Sequence, residues 1–138
     1  MKKTLRKETI AAMKQLPESV KTQADEELTQ RLLELPAFQE AKTLATYLSF
    51  DHEVSTASLI QAALQLGKRV CVPRTYPQGR MEFVEYDPDI LEKTRFGLLE
   101  PNEKGKLVEQ SEIDLIHVPG VVFQSKGYRI GYGGGYYD

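Results

Sequence analysis

Near the start of the chain, apolar positions recur at helical spacing. Ile10, Met13 and Leu16 predict a helix over residues 3 to about 16. Pro17 and Ser19 punctuate it. Val20, Ala24, Leu28 and Leu32 then form an apolar stripe on a second helix whose other faces are charged. Beyond it the pattern changes. "TLATYLSF", residues 43–50, is a short apolar run rich in strand formers. "STASLIQAALQLGK" returns to helical spacing, with Ser55 or Thr56 to cap its start and Gly67 to suit its end. "RVCVPR" predicts the next buried strand. "MEFVEY" alternates apolar and polar positions and predicts a half-exposed one. "IDLIHVPGVVF", residues 113–123, begins as another buried strand, and the polar "LEPNEKGKLVEQSE" before it reads as a surface loop. Continuous apolar strands separated by a helix predict an α/β fold: a mainly parallel open sheet with flanking helices, in a single domain over residues 1–138.

Composition narrows the function classes. The 138 residues fit one domain, and 41% hydrophobic with 28% charged is ordinary globular usage. A net charge of −2 gives no electrostatic case for nucleic acid or a membrane surface as partner. The one cysteine, Cys71, sits in the apolar "RVCVPR" and has no intramolecular partner. The basic N-terminus lacks the apolar core of a signal peptide, and no run approaches the roughly 18 apolar residues of a membrane span. These features predict a cytoplasmic protein; they say nothing of oligomeric state.

The segment "RIGYGGGYYD", residues 129–138, carries the chemistry. Its glycines let the backbone approach a ligand and aim free N–H groups at phosphate oxygens. Arg129 offers a planar fork suited to phosphate, and Asp138 a hard oxygen suited to Mg²⁺. The segment has neither the GK[ST] of a P-loop nor the βαβ setting of a dinucleotide fingerprint. A tight glycine-rich turn is the alternative.

"DLIHVPGVVFQSKGYRIGYGGGYYD" is similar to the signature of the 5-formyltetrahydrofolate cyclo-ligase family, also called methenyltetrahydrofolate synthetase. Four further stretches agree with it in order: "KKTLR" at 2–6, "YLSFDHEVST" at 47–56, "KRVCVPR" at 68–74 and "GLLEP" at 97–101. The resemblance covers essentially the whole chain. It implies ATP-dependent cyclisation of 5-formyltetrahydrofolate (folinic acid) to 5,10-methenyltetrahydrofolate. ADP and phosphate are released, by way of phosphorylation of the formyl oxygen. It also implies that family members continue past GYYD with an arginine, a helix, a strand and a further acidic metal ligand; this chain is expected to lack that segment and to fall short of full activity.

Carried over residue by residue, the resemblance assigns ATP to Lys2, Lys3, Thr4, Leu5 and Arg6, and to Arg129, Ile130, Gly131, Tyr132, Gly133, Gly134, Gly135, Tyr136 and Tyr137. Lys2 and Arg6, at i and i+4, would share one helix face. Arg74, closing "VPR" at a strand end, is placed with the nucleotide phosphates, with the substrate as the alternative. Leu48, Glu53, Tyr132, Gly133, Gly134, Gly135 and Tyr136 are assigned to the folate, with Glu53 accepting from the pterin's ring N–H and amino group. Asp138 is assigned to Mg²⁺. The plainer alternatives are a solvated basic helix start for "KKTLR" and a polar strand-to-helix loop for "DHE". His52 receives no role, and His117 reads as a core histidine. A rival of another class is a non-catalytic nucleotide- or phosphate-binding α/β module. A sugar-phosphate isomerase or deaminase would need an acid–base pair that the sequence does not offer.

Overall fold

The computed structural model describes residues 2–94, 98–120, 122–123, 129–131 and 137. Three helices lead the chain: α1 (Lys2–Lys14), α2 (Glu18–Glu34) and α3 (Pro36–Glu40). Strand β1 (Thr43–Ala45) follows, then α4 (Ala57–Gln65), β2 (Arg69–Tyr76) and β3 (Arg80–Glu85). Short strands complete the order: β4 (Leu91–Lys93), β5 (Leu99–Pro101), β6 (Leu107–Val108), β7 (Leu115–Ile116), β8 (Val122–Phe123) and β9 (Arg129–Ile130). Among the described residues no helix is long and apolar enough to cross a membrane.

The α/β reading holds, and the five-stranded sheet is mixed, in the order β6-β3-β2-β1-β7. The α4 crossover makes β1 parallel to β2, with Leu44 opposite Val70, and β1 is also parallel to β7, with Leu44 opposite Leu115. The other two pairings, β2–β3 and β3–β6, are antiparallel. The reason is local. Only Pro77, Gln78 and Gly79 join Tyr76 to its partner Arg80, too short a link for a parallel crossover. The turn closes with positive φ at Gln78 (67°) and Gly79 (74°).

Strand periodicity sorts the core into two faces. Leu44 and Val70 join Phe38, Leu59, Ile60 and Ala63 beneath α3 and α4. Ala45 and Cys71, one residue on, join Phe83 and Val108 on the opposite face. Cys71 is fully buried, as its setting predicts. Burial pushes its thiol up to about 12.

Three expectations need correction. The α2 stripe is not buried throughout: Val20 and Leu28 are 50% and 47% exposed, and Leu32 is the stripe residue that packs on the core. The polar stretch after residue 98 is more than a loop. It contributes β5 and the sheet-edge strand β6, because Leu107 and Val108 pair with Val84 and Phe83. The 43–50 run leaves strand geometry after Ala45. Thr46 N–H still donates to Cys71 O (3.0 Å), but the chain then turns so that the Thr56 hydroxyl donates to Tyr47 O (2.7 Å). Thr56 therefore stands at the start of α4 without capping it through its side chain. Gly67 does end α4, with φ +78°.

Candidate functional site

The turn after β1 is built around Glu53. Its carboxylate accepts from Phe50 N–H at 2.7 Å, while its own N–H donates to Phe50 O at 3.0 Å. The residue is 4% exposed. A carboxylate so buried is costly unless hydrogen-bonded, and the reciprocal turn fixes where its second oxygen faces. Two cavities meet at this residue. One, of about 450 Å³, is lined by Leu48, Glu53, Thr75, Glu100, Pro119 and Tyr137, among others. The other, of about 590 Å³, lies beneath α1 and α2 against Met13, Leu32, Tyr47, Glu53 and His117. Tyr47 borders both. Its phenol is pushed well above the ordinary range, first by burial and then by the Glu53 and Asp25 carboxylates.

Tyr137 connects this cavity to the glycine-rich segment. Its ring packs on the Ala45–Cys71 face of the core. Burial raises its hydroxyl above the ordinary range. Glu53, Tyr47 and Glu100 add to that, while Arg129 opposes it. The Arg129 guanidinium lies 5.9 Å from the Tyr137 ring centroid and donates to Pro119 O at 3.3 Å. β8 and β9 form an antiparallel pair that sets Phe123 opposite Arg129. Gly131 follows, where a Cβ would come within 2.8 Å of Arg129 Nη1. From the other end of the chain, Arg6 Nε donates to Gly131 O at 2.7 Å. The N-terminal basic motif and the glycine-rich segment therefore meet in space. Lys2, Lys3, Thr4 and Leu5 lie on the exposed surface of α1 just before that contact.

Arg74 lies elsewhere. Pro73 and Thr75 line the smaller cavity, so strand alternation turns Arg74 to the opposite face of β2. There it donates to Asn102 O (2.6 Å) and to Glu82 (3.0 Å), which also accepts from the Tyr76 hydroxyl (2.7 Å). Those bonds, Tyr76's first, hold the Glu82 carboxyl below its usual range. Among the described residues, the buried Arg74 Nε has no hydrogen-bond partner.

His117 is held as a core histidine, as expected. Thr46 Oγ1 is 3.1 Å from its Nδ1, the Tyr47 ring centroid is 5.1 Å away, and burial pushes its pKa down. Its exposure to the larger cavity was not legible in the sequence. His52 stacks on Phe50 at 5.6 Å. Tyr132, Gly133, Gly134, Gly135, Tyr136 and Asp138 lie outside the described residues, as does the side chain of Ile130. Among the described residues, no three His, Cys, Asp or Glu side chains form a group able to hold a metal ion. Thr75 and Glu100 are cavity residues to which sequence reasoning gave no role. The available signals were Thr75's two-residue spacing from Pro73 and Glu100's place in "GLLEP".

The chain matches the family described as the 5-formyltetrahydrofolate cyclo-ligase family over residues 1–138. It is 38% identical over 120 residues to 5-formyltetrahydrofolate cyclo-ligase of Haemophilus influenzae, covering 84% of this chain and 64% of that one. The protein of the same name from Escherichia coli K12 is 36% identical over 112 residues, covering 78% and 62%. The chain thus spans about three fifths of the length of these curated relatives. Among solved structures, 5,10-methenyltetrahydrofolate synthetase of Aquifex aeolicus superposes with a TM-score of 0.84 at 32% identity, covering 99% of this chain and 69% of that one.

Proposed function

The chain belongs to the 5-formyltetrahydrofolate cyclo-ligase family, and from that premise we propose that it carries the site for ATP-dependent closure of 5-formyltetrahydrofolate to 5,10-methenyltetrahydrofolate. The observation that carries this reading is Tyr137. It closes the cavity that holds Leu48 and Glu53 while its ring stacks with Arg129. That contact supports a reading in which the proposed folate pocket lies beside the proposed phosphate cation.

The chemistry explains the need for ATP. The formyl oxygen attacks the γ-phosphorus and ADP departs. The N5 lone pair stabilises the activated carbon as an iminium. N10 adds to that carbon and loses its proton, and the C–O bond breaks to release phosphate. Phosphoryl transfer needs positioning and charge neutralisation more than covalent help from the protein. Lys2 to Arg6 and Arg129 to Tyr137 are the proposed ATP residues, with Arg6 fixed against the glycine-rich segment by its bond to Gly131 O. Arg74 would join them only by exchanging its Glu82 and Asn102 partners for phosphate. Leu48 and Glu53, with residues 132–136, would hold the folate. Mg²⁺ commonly binds through one or two carboxylates plus phosphate oxygens. Asp138 fits that donor set, and the ion would neutralise phosphate charge there. The lone buried thiol, Cys71, suits a reducing cytoplasmic setting.

The test is direct: mix the chain with 5-formyltetrahydrofolate, ATP and Mg²⁺ and follow the absorbance of the methenyl product. Appearance of the chromophore only with all three supports the reading. Binding of ATP without binding of 5-formyltetrahydrofolate would favour a nucleotide-binding module instead.

A further inference from the structure

Glu100 is held by a single neighbour at both of its oxygens. Thr75 N–H donates to Oε1 at 2.9 Å, and the Thr75 hydroxyl donates to Oε2 at 2.6 Å. The two residues come from β5 and β2, and both line the smaller cavity with Glu53 and Tyr137. Each carboxylate oxygen keeps a further lone pair beyond its bond to Thr75. Among the described residues no cation forms an ion pair with Glu100. The rest of the lining is largely apolar, including Leu48, Phe50, Met81 and Leu98. Thr75 thus orients a half-buried hydrogen-bond acceptor at a largely apolar slot that is also lined by the buried Glu53.

We propose that Glu100 is a specificity-determining residue of this site, accepting a hydrogen bond from the N8–H of a reduced pterin whose pyrimidine edge is read by Glu53. The inference rests on the folate reading above. A tetrahydropterin offers donors on both of its rings: the N3–H and 2-amino group on one, and N8–H on the other. Two separate acceptors suit that distribution. Fully oxidised folic acid has an acceptor in place of N8–H, so a fixed carboxylate there would meet it lone pair to lone pair. Glu100 would therefore select the reduced ring, and Thr75 acts as its positioning residue.

The experiment compares binding of 5-formyltetrahydrofolate and folic acid by titration calorimetry to the wild-type chain and to Glu100→Gln, with melting curves for each protein. The variant should bind 5-formyltetrahydrofolate roughly ten- to hundredfold more weakly, the usual scale for a lost charge-assisted hydrogen bond. Folic acid affinity should hold or rise, because the amide can donate to N8. Thr75→Val should reduce the preference for the reduced ring and Thr75→Ser restore it, which a merely structural bond between β2 and β5 would not do. Two results would overturn the assignment. One is an unchanged ratio of the two affinities, whatever happens to melting; where both fall equally, the lost donor is one they share, such as N10–H. The other is a wild-type chain that binds no 5-formyltetrahydrofolate, which would remove the folate reading as well.

Discussion

The Arg6 guanidinium donates to the carbonyl of Gly131, 125 positions away in sequence, at 2.7 Å. A helix start that reads as a solvated basic run is thereby tied to the segment whose glycines suit phosphate. Replacing Arg6 by Ala removes that tie and one cation. ATP affinity should fall by at least tenfold, the scale of one charge-assisted hydrogen bond, while 5-formyltetrahydrofolate binds as before. Calorimetry with each ligand separates the two. An unchanged ATP affinity would remove α1 from the nucleotide site.

Glu53→Gln keeps the shape of the turn, because the amide oxygen can still accept from Phe50 N–H. It replaces one acceptor with a donor where the pterin edge would sit. The expected loss is about 1.5–3 kcal/mol of folate binding, with ATP binding intact. The assignment fails if ATP binding drops and folate binding does not.

Burial holds His117 below its ordinary value of 6.5, so the folded protein resists its protonation. Between that lowered value and about 6.5 the unfolded chain binds more protons than the folded one. Stability is then full above pH 6.5 and declines as pH falls toward the folded value. His52 shifts in the same direction, chiefly by burial with help from Lys14. Melting temperatures at pH 5 and 7.5 should differ less in His117→Asn than in the wild type. An equal difference in both would assign the pH dependence to other groups.

Gly105 lies against Val84 and Ile90. A Cβ there would overlap Val84 Cγ1 and come within 3.1 Å of Ile90 Cδ1. Val84 is fully buried. Gly105→Ala should cost about 1–3 kcal/mol by overpacking, seen as a lowered denaturation midpoint. Among the described residues, Gly131→Ala meets the end of the flexible Arg129 side chain and should leave the midpoint nearly unchanged.

Local signals were the legible ones. Buried runs around Leu44 and Val70, the glycine that ends α4 and the thiol in β2 could all be read from pattern, because each depends on neighbours close in sequence. The direction of β3 depended on a three-residue turn that periodicity does not register. Glu53 could be placed in a loop, but not at the boundary of two cavities, since Thr75, Glu100 and Tyr137 reach it from distant segments. Arg74 illustrates the opposite limit. Its place at a strand end suggests phosphate, while alternation along β2 carries it to the face where Glu82 waits.

The interior position of β1, between β2 and the edge strand β7, also sets an order of assembly. Its parallel partner β2 and the β2–β3 hairpin lie between residues 69 and 85, whereas its other neighbour, β7, pairs Leu115 with Leu44. As the chain leaves the ribosome, one side of β1 has nothing to bond until that distant dipeptide emerges. An unpaired strand edge invites other chains. Hydrogen-exchange labelling during refolding should find the Tyr86 amide, bonded to Val70 O, protected before the His117 amide, bonded to Ala45 O. The interval between the two is when a translating or refolding molecule most needs a chaperone.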